Sequence, residues 1–174
     1  MSEVVGERTL TFGDVPRLSY TRQVLQESMR LYPPAWLIAR SPIADDVVAG
    51  VRLPARSLVM LSPYVTHRHP DIWPAPETFD PERFAVGRAP DAKSFAFFPF
   101  GGGPRVCIGQ SFAVTEAAIG LATLVRRFDT TLAVPAASVG LEPLITLRPK
   151  GGLPVRITRR RANSVEKTEQ KLRH

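Results

Sequence analysis

The sequence predicts an α+β fold, mainly α, on three observations. Two stretches, Leu18 to Pro34 and Gly109 to Phe128, space apolar residues at helical intervals, and short apolar runs lie between and after them. The third is punctuation: 17 Pro and 12 Gly predict short elements with long ordered connections rather than a simple bundle. With 174 residues and 44% apolar content, the chain fits one globular domain with a sizeable core.

Residues 1–14 are polar and weakly patterned. The first helix then places Val24, Ser28 and Leu31, and Leu25, Met29 and Tyr32, on a shared face, and runs about three turns. Pro33 and Pro34 stop it, because a residue before proline is pushed out of the helical region. From Trp36 to Leu61 the runs WLIA, VVAGVRL and SLVML predict a small antiparallel sheet with tight turns.

Residues 62–106 have no period and form a connection far longer than the usual length of about 2 to 6 residues. Its aromatic residues, among them Tyr64, Trp73, Phe84, Phe95 and Phe98, predict that it is packed, since disordered segments are poor in aromatics. The second helix puts Ala113, Ala117, Gly120, Leu121, Leu124 and Phe128 on one stripe, with Arg126 and Arg127 complementing the dipole at its last turn. TTLAV, LITL and LPVRI predict short strands.

The net charge of +7 is unevenly placed. Arg159 to His174 holds six Lys/Arg against two Glu, which predicts a basic, disordered tail at 159–174 and leaves the body nearly balanced. A nucleic-acid partner is not expected, because the chain shows no basic face interleaved with stacking aromatics and no reading motif. The single cysteine excludes an internal disulfide and a zinc site of several thiolates. No apolar run reaches the roughly 18 to 20 residues of a membrane-spanning helix, and Met1 to Asp14 lacks a secretory pattern, so a soluble, cytoplasmic chain is expected.

The segment FPFGGGPRVCIGQ sets Cys107 between a glycine-rich turn and the first turn of a helix. Unpaired backbone N–H groups at a helix start stabilise a thiolate. Gly101, Gly102, Gly103 and Gly109 let the backbone approach a large planar ligand, Pro104 stiffens the turn, and Arg105 offers a permanent charge to a carboxylate.

This segment resembles the haem-ligand signature of the cytochrome P450 family, Phe-x-x-Gly-x-Arg-x-Cys-x-Gly, matched by Phe100, Gly103, Arg105, Cys107 and Gly109. Upstream, Glu27 and Arg30 match the family's Glu-x-x-Arg pair, and Asp80-Pro81-Glu82-Arg83-Phe84 resembles its Pro-Glu-Arg-Phe element. The resemblance covers residues 15–158, a partial cytochrome P450 domain, and implies the C-terminal part of that fold: K helix, small β-sheets, meander, Cys-ligand loop and L helix, incomplete. No segment resembles the family's long central helix with its acid–alcohol pair, so no oxygen-activating catalytic residue is assigned.

The resemblance implies haem b with Cys107 as the axial iron ligand, Arg105 as a propionate partner, and Phe100, Gly103 and Gly109 as packing around the thiolate. It implies a buried structural triad of Glu27, Arg30 and Arg83. Pro34 to Ala39 and Pro143 to Ile145 would border the cavity for a small organic substrate, and His67 and His69 are not assigned to iron. Arg88, Lys93, Arg126 and Arg127 would lie toward an electron-donor protein, a reductase or ferredoxin. The implied function is a monooxygenase fragment, too short to act alone and poor at retaining haem. The alternatives are an inactive truncated haem-binding fragment and a peroxide-using haem-thiolate enzyme.

Overall fold

The computed structural model describes residues 8–91 and 94–160. Lys93 and the tail beyond Arg160 lie outside the described residues, and with them the redox-face expectation for Lys93 and the disorder expected from residue 161 on. The chain divides into two compact units, one holding residues 8–22, 111–140 and 149–160, the other residues 23–110 and 141–148.

In the first unit a 3-10 turn, Phe12–Arg17, is pinned by Asp14. The buried Asp14 carboxylate accepts from the Thr11 backbone N–H and hydroxyl, each at 2.9 Å, and from the Arg8 guanidinium. Its hydrogen bond to Arg8, followed by that to the Thr11 backbone, holds the carboxyl well below the usual carboxylate range. Leu10, Leu18 and Ala122 form a buried cluster beside it.

A long helix over Gln110–Arg127, termed α3 below, runs directly into strand β5, Phe128–Leu132. Strand β8, Val155–Arg159, pairs antiparallel with β5 in a register that sets Phe128 opposite Arg159. The ribbon continues past its last rung, since Arg160 donates its backbone N–H to the Arg127 carbonyl at 2.8 Å and its Nε to Asp129 at 2.7 Å. The start of the basic tail, Arg159 and Arg160, is therefore bound to the ribbon by backbone pairing that charge composition does not register.

The stripe expected on α3 is corrected. Ala118 and Ala122 are its fully buried residues, whereas Ala113, Ala117, Gly120 and Leu124 are exposed and Leu121 is half-buried. Phe128 belongs to β5. Apolar spacing marks two faces of this helix, and among the described residues only one of them is covered.

The first helix, α1, spans Ser19–Leu31, belongs to the second unit from Gln23 on, and stops before Pro33, as the prolines predict. Its buried face differs from the apolar stripe expected: Glu27, Arg30 and Leu31 are buried, Val24, Leu25, Ser28 and Met29 only partly so, and Tyr32 is exposed. The single sheet expected over 36–61 is two ribbons. Strand β1, Ile38–Arg40, pairs with β4, Val59–Leu61, and β2, Asp46–Val48, pairs with β3, Val51–Leu53. The β2–β3 turn is Ala49-Gly50 with φ of 50° and 79°, the left-handed pair that tight hairpins require.

The long connection is packed through much of its length. Helix α2, Pro63–Thr66, is capped by the Ser62 hydroxyl, which accepts the Val65 N–H at 3.3 Å. Trp73, Phe84 and Phe97 form an aromatic cluster with His67, with ring centroids 4.8 Å apart for Phe84 and Phe97 and 5.0 Å for His67 and Phe97. Strands β6, Leu141–Pro143, and β7, Leu147–Pro149, form a hairpin, so the strand expected over LITL is corrected: Leu144 to Thr146 make its turn and β7 starts at Leu147. Among the described residues, no helix is long and apolar enough to cross a membrane.

Candidate functional site

Four hydrogen-bonded steps fix the glycine-rich segment ahead of α3. The Phe98 carbonyl accepts the Gly101 N–H at 2.9 Å, the Phe100 carbonyl accepts the Cys107 N–H at 3.0 Å, and the Gly103 carbonyl accepts the Val106 N–H at 3.1 Å. The Cys107 carbonyl then accepts from Gln110, the first residue of α3, at 3.2 Å. Gly101 and Gly103 have φ of 75° and 66°, in the left-handed region where a side chain is strained.

Cys107 is free and exposed, with its thiol ahead of the helix start. A methyl group built on Gly109 would lie 3.8 Å from Sγ, and one built on Gly103 would meet nothing within 4 Å. Arg105 is exposed on the 3-10 turn Gly103–Arg105. Arg40, on β1, brings Nη2 to 3.8 Å from the position of a Gly101 methyl, so a second guanidinium reaches the same loop.

The expected structural residues meet some distance back along the chain. Glu27 and Arg30 are fully buried and bidentate, with Arg30 Nε at 2.7 Å from Oε2 and Nη2 at 2.8 Å from Oε1. Arg30 also donates to the carbonyls of His67 at 2.8 Å, Pro76 at 2.7 Å and Thr78 at 3.1 Å, and its guanidinium lies 5.2 Å from the Trp73 ring centroid. Glu27 Oε1 accepts the Asp80 N–H at 2.8 Å. Arg83 Nε stands 3.5 Å from Glu27 Oε1, an ion pair without hydrogen-bond alignment, while its Nη2 donates to the Ala75 carbonyl at 3.0 Å. Helix α1 and the connection from His67 to Arg83 thus share one knot, in which the Glu27 carboxylate is paired with two guanidinium groups.

His67 joins this knot to the cysteine segment. Its carbonyl receives Arg30 and its Nε2 accepts the Phe98 N–H at 2.9 Å, so at neutral pH the ring proton sits on Nδ1. Burial, opposed in part by the backbone of Met29 and reinforced by the charge of Arg30, pushes its pKa down to about 4.

Residues 1–151 match the family model described as Cytochrome P450. The chain belongs to the cytochrome P450 family. It is 42% identical over 147 residues to "Cyclooctatin synthase" of Streptomyces melanosporofaciens, covering 84% of this chain and 32% of that protein. It is 41% identical over 128 residues to "Cyclooctat-9-en-7-ol 5-monooxygenase" of the same organism, covering 74% of this chain and 28% of that protein. Among solved structures, the cyanobacterial CYP120A1 with retinoic acid bound superposes with a TM-score of 0.83 at 37% identity, covering 91% of this chain and 37% of that one. The fold is thus a partial P450 fold, and the chain spans about a third of the length of the curated relatives it matches.

At the family level, P450 membership implies haem as the cofactor. The residues fit such a group: an exposed thiol at a helix start, a loop glycine, Gly103, with nothing within 4 Å of where a methyl would stand, and two guanidinium groups for carboxylates. The two segments expected at the substrate cavity are joined, since Trp36 Nε1 donates to the Leu144 carbonyl at 2.8 Å and the Leu147 N–H to the Pro34 carbonyl at 3.0 Å. Arg88 is exposed, and Arg126 donates to the Arg8 carbonyl at 3.1 Å. Sequence reading missed Arg40 and the His67 bond to Phe98. A lone arginine at the end of a short strand carries no signal, and a histidine's partner 31 residues away carries none either.

Proposed function

We propose that this chain supplies the thiolate side of a haem-dependent monooxygenase site. Cys107 would hold the haem iron through its thiolate, Arg105 and Arg40 would bind the haem carboxylates, and Phe100, Gly103 and Gly109 would shape the surface around the sulfur. The single observation that supports this reading most is the exposed Cys107 thiol, set ahead of α3 on a loop whose backbone is already tied at Gly101 and Cys107. Haem held through a thiolate supplies dioxygen activation, by which one oxygen atom enters an organic substrate at the expense of electrons from a reductase or ferredoxin.

The chain's own residues hold and orient. The Glu27–Arg30 pair with Arg83 anchors the connection, His67 passes that anchorage to Phe98, and the loop presents the sulfur. Segments 34–36 and 144–147, tied to each other, form a wall for a small organic substrate.

Reconstitution with haem, reduction and addition of carbon monoxide tests the proposal. A strongly red-shifted Soret band is expected, and it is lost in Cys107→Ala. A band unchanged by that substitution overturns the ligand assignment. Oxygenated product from the reconstituted chain with an electron donor separates the monooxygenase from the inactive fragment.

A further inference from the structure

Gly102 differs from its neighbours in why it is glycine. Its φ of −161° and ψ of 172° are extended backbone open to any residue, so conformation does not require glycine there. Space does. A methyl group built on Gly102 would lie 2.3 Å from Phe95 Cε1 and 3.2 Å from both Cδ1 and Cζ, closer than packed atoms approach. The edge of the Phe95 ring occupies the volume a side chain at 102 would need.

Phe95 is itself held against local preference. Its φ of 52° is in the left-handed region, unfavourable for an aromatic residue, and its side chain remains 52% exposed, so burial does not account for its placement. The surroundings fix it. Ser94 donates its backbone N–H and hydroxyl to the Asp91 carbonyl at 3.0 and 2.6 Å, and its Oγ accepts the Ala96 N–H at 3.2 Å. The Phe95 ring meets Phe98 edge-on at 6.4 Å between centroids, and Phe98 carries both the His67 bond and the carbonyl that receives Gly101.

We propose that Phe95 is a positioning residue whose ring clamps Gly102 and so sets the Gly101–Gly103 turn that presents Arg105 and Cys107. The backbone strain at Phe95 is retained because the ring must reach Gly102 from that side. For its consequence at the iron the inference rests on the haem-thiolate reading, while the clamp itself does not.

The test uses the full 174-residue chain and the variants Phe95→Gly, Gly102→Ala and the double substitution. Glycine tolerates the backbone of position 95, so Phe95→Gly removes the ring without forcing the turn. Amide hydrogen exchange at Gly101 and Cys107 should rise about tenfold or more in each single variant, while the cooperative urea transition of Phe95→Gly stays in place or moves upward. In the double variant the rise should not exceed that of Phe95→Gly alone, because the new methyl enters the volume the ring has left. Exchange within about twofold of the parent in Phe95→Gly, or a double variant equal to the product of the singles, overturns the clamp. Phe95→Tyr keeps the ring and should exchange like the parent. If the amides respond as expected but the parent with haem and carbon monoxide gives no red-shifted Soret band, the haem reading fails and the clamp stands. If the parent gives the band and the amides do not respond, the clamp fails alone.

Discussion

The Nε2 of His67 accepts the backbone N–H of Phe98 at 2.9 Å, and this bond connects the buried ion pair of α1 to the segment that carries the cysteine. It requires a neutral imidazole. A proton on Nε2 removes the acceptor and adds a second positive charge near Arg30.

Acid sensitivity follows from that requirement. With His67 pushed down to about 4 in the fold, and near its ordinary value of about 6.5 when unfolded, the unfolded chain takes up the proton first as pH falls. The stability from neutral His67 is complete above about pH 6.5 and is lost as pH falls toward 4, on the order of 3 kcal/mol in total. Urea midpoints measured across this window should fall with pH in the parent and stay flatter in His67→Gln, whose amide oxygen can still accept the Phe98 N–H. Parallel slopes would exclude His67 as the titrating group.

Within the ion-pair knot the residues differ in weight. Arg30→Met strips the buried Glu27 of its bidentate partner and frees three carbonyls, and should cost about 3 to 5 kcal/mol. Arg83→Met, which removes one aligned hydrogen bond and a 3.5 Å ion pair at the margin, should cost nearer to about 1 kcal/mol. Urea unfolding of both variants checks the order, and equal losses would contradict it.

The two faces of α3 give opposite outcomes. Ala122→Leu, at a fully buried position beside Leu10 and Leu18, should destabilise by about 1 to 3 kcal/mol through overpacking. Ala117→Leu, at an exposed position, should change the thermal midpoint of this chain little, within about 0.5 kcal/mol. A large loss at Ala117 would mean that this face is covered in solution.

Cys107, the lone cysteine, gives labelling an unambiguous signal. Iodoacetamide should modify the exposed thiol readily in the haem-free chain and at least about tenfold more slowly at saturating haem, because a ligated sulfur is not a free nucleophile. Mass spectrometry reads the rate, and haem that leaves it unchanged would count against coordination.

Legibility in the sequence varied with the physics. Helix ends at Pro33 and near Phe128 were readable because proline and charge act locally. The buried face of α1 was not, since its deepest side chains are Glu27 and Arg30; apolar periodicity is blind to a charge buried by pairing, and only the family motif pointed to it. The stripe on α3 misled because spacing reports that a face is apolar, not which partner covers it. Cys107 and its glycines were legible as a motif, whereas Arg40, His67 and Phe95 owe their places to tertiary contacts with no fixed spacing.

Every sheet among the described residues is a ribbon of two strands, so none of those strands has neighbours on both sides. Such an edge exposes a row of backbone donors and acceptors on which another extended segment can dock, and one edge is already partly used, since the Leu147 N–H of β7 donates to the Pro34 carbonyl. The longest row belongs to the β5–β8 ribbon, where Val155 and Ile157 are exposed. Its rungs also carry Asp129, Arg156 and Arg159, charges that oppose stacking of one copy on the next. The same charges that composition assigns to a tail or a surface therefore guard the molecule against assembling with itself.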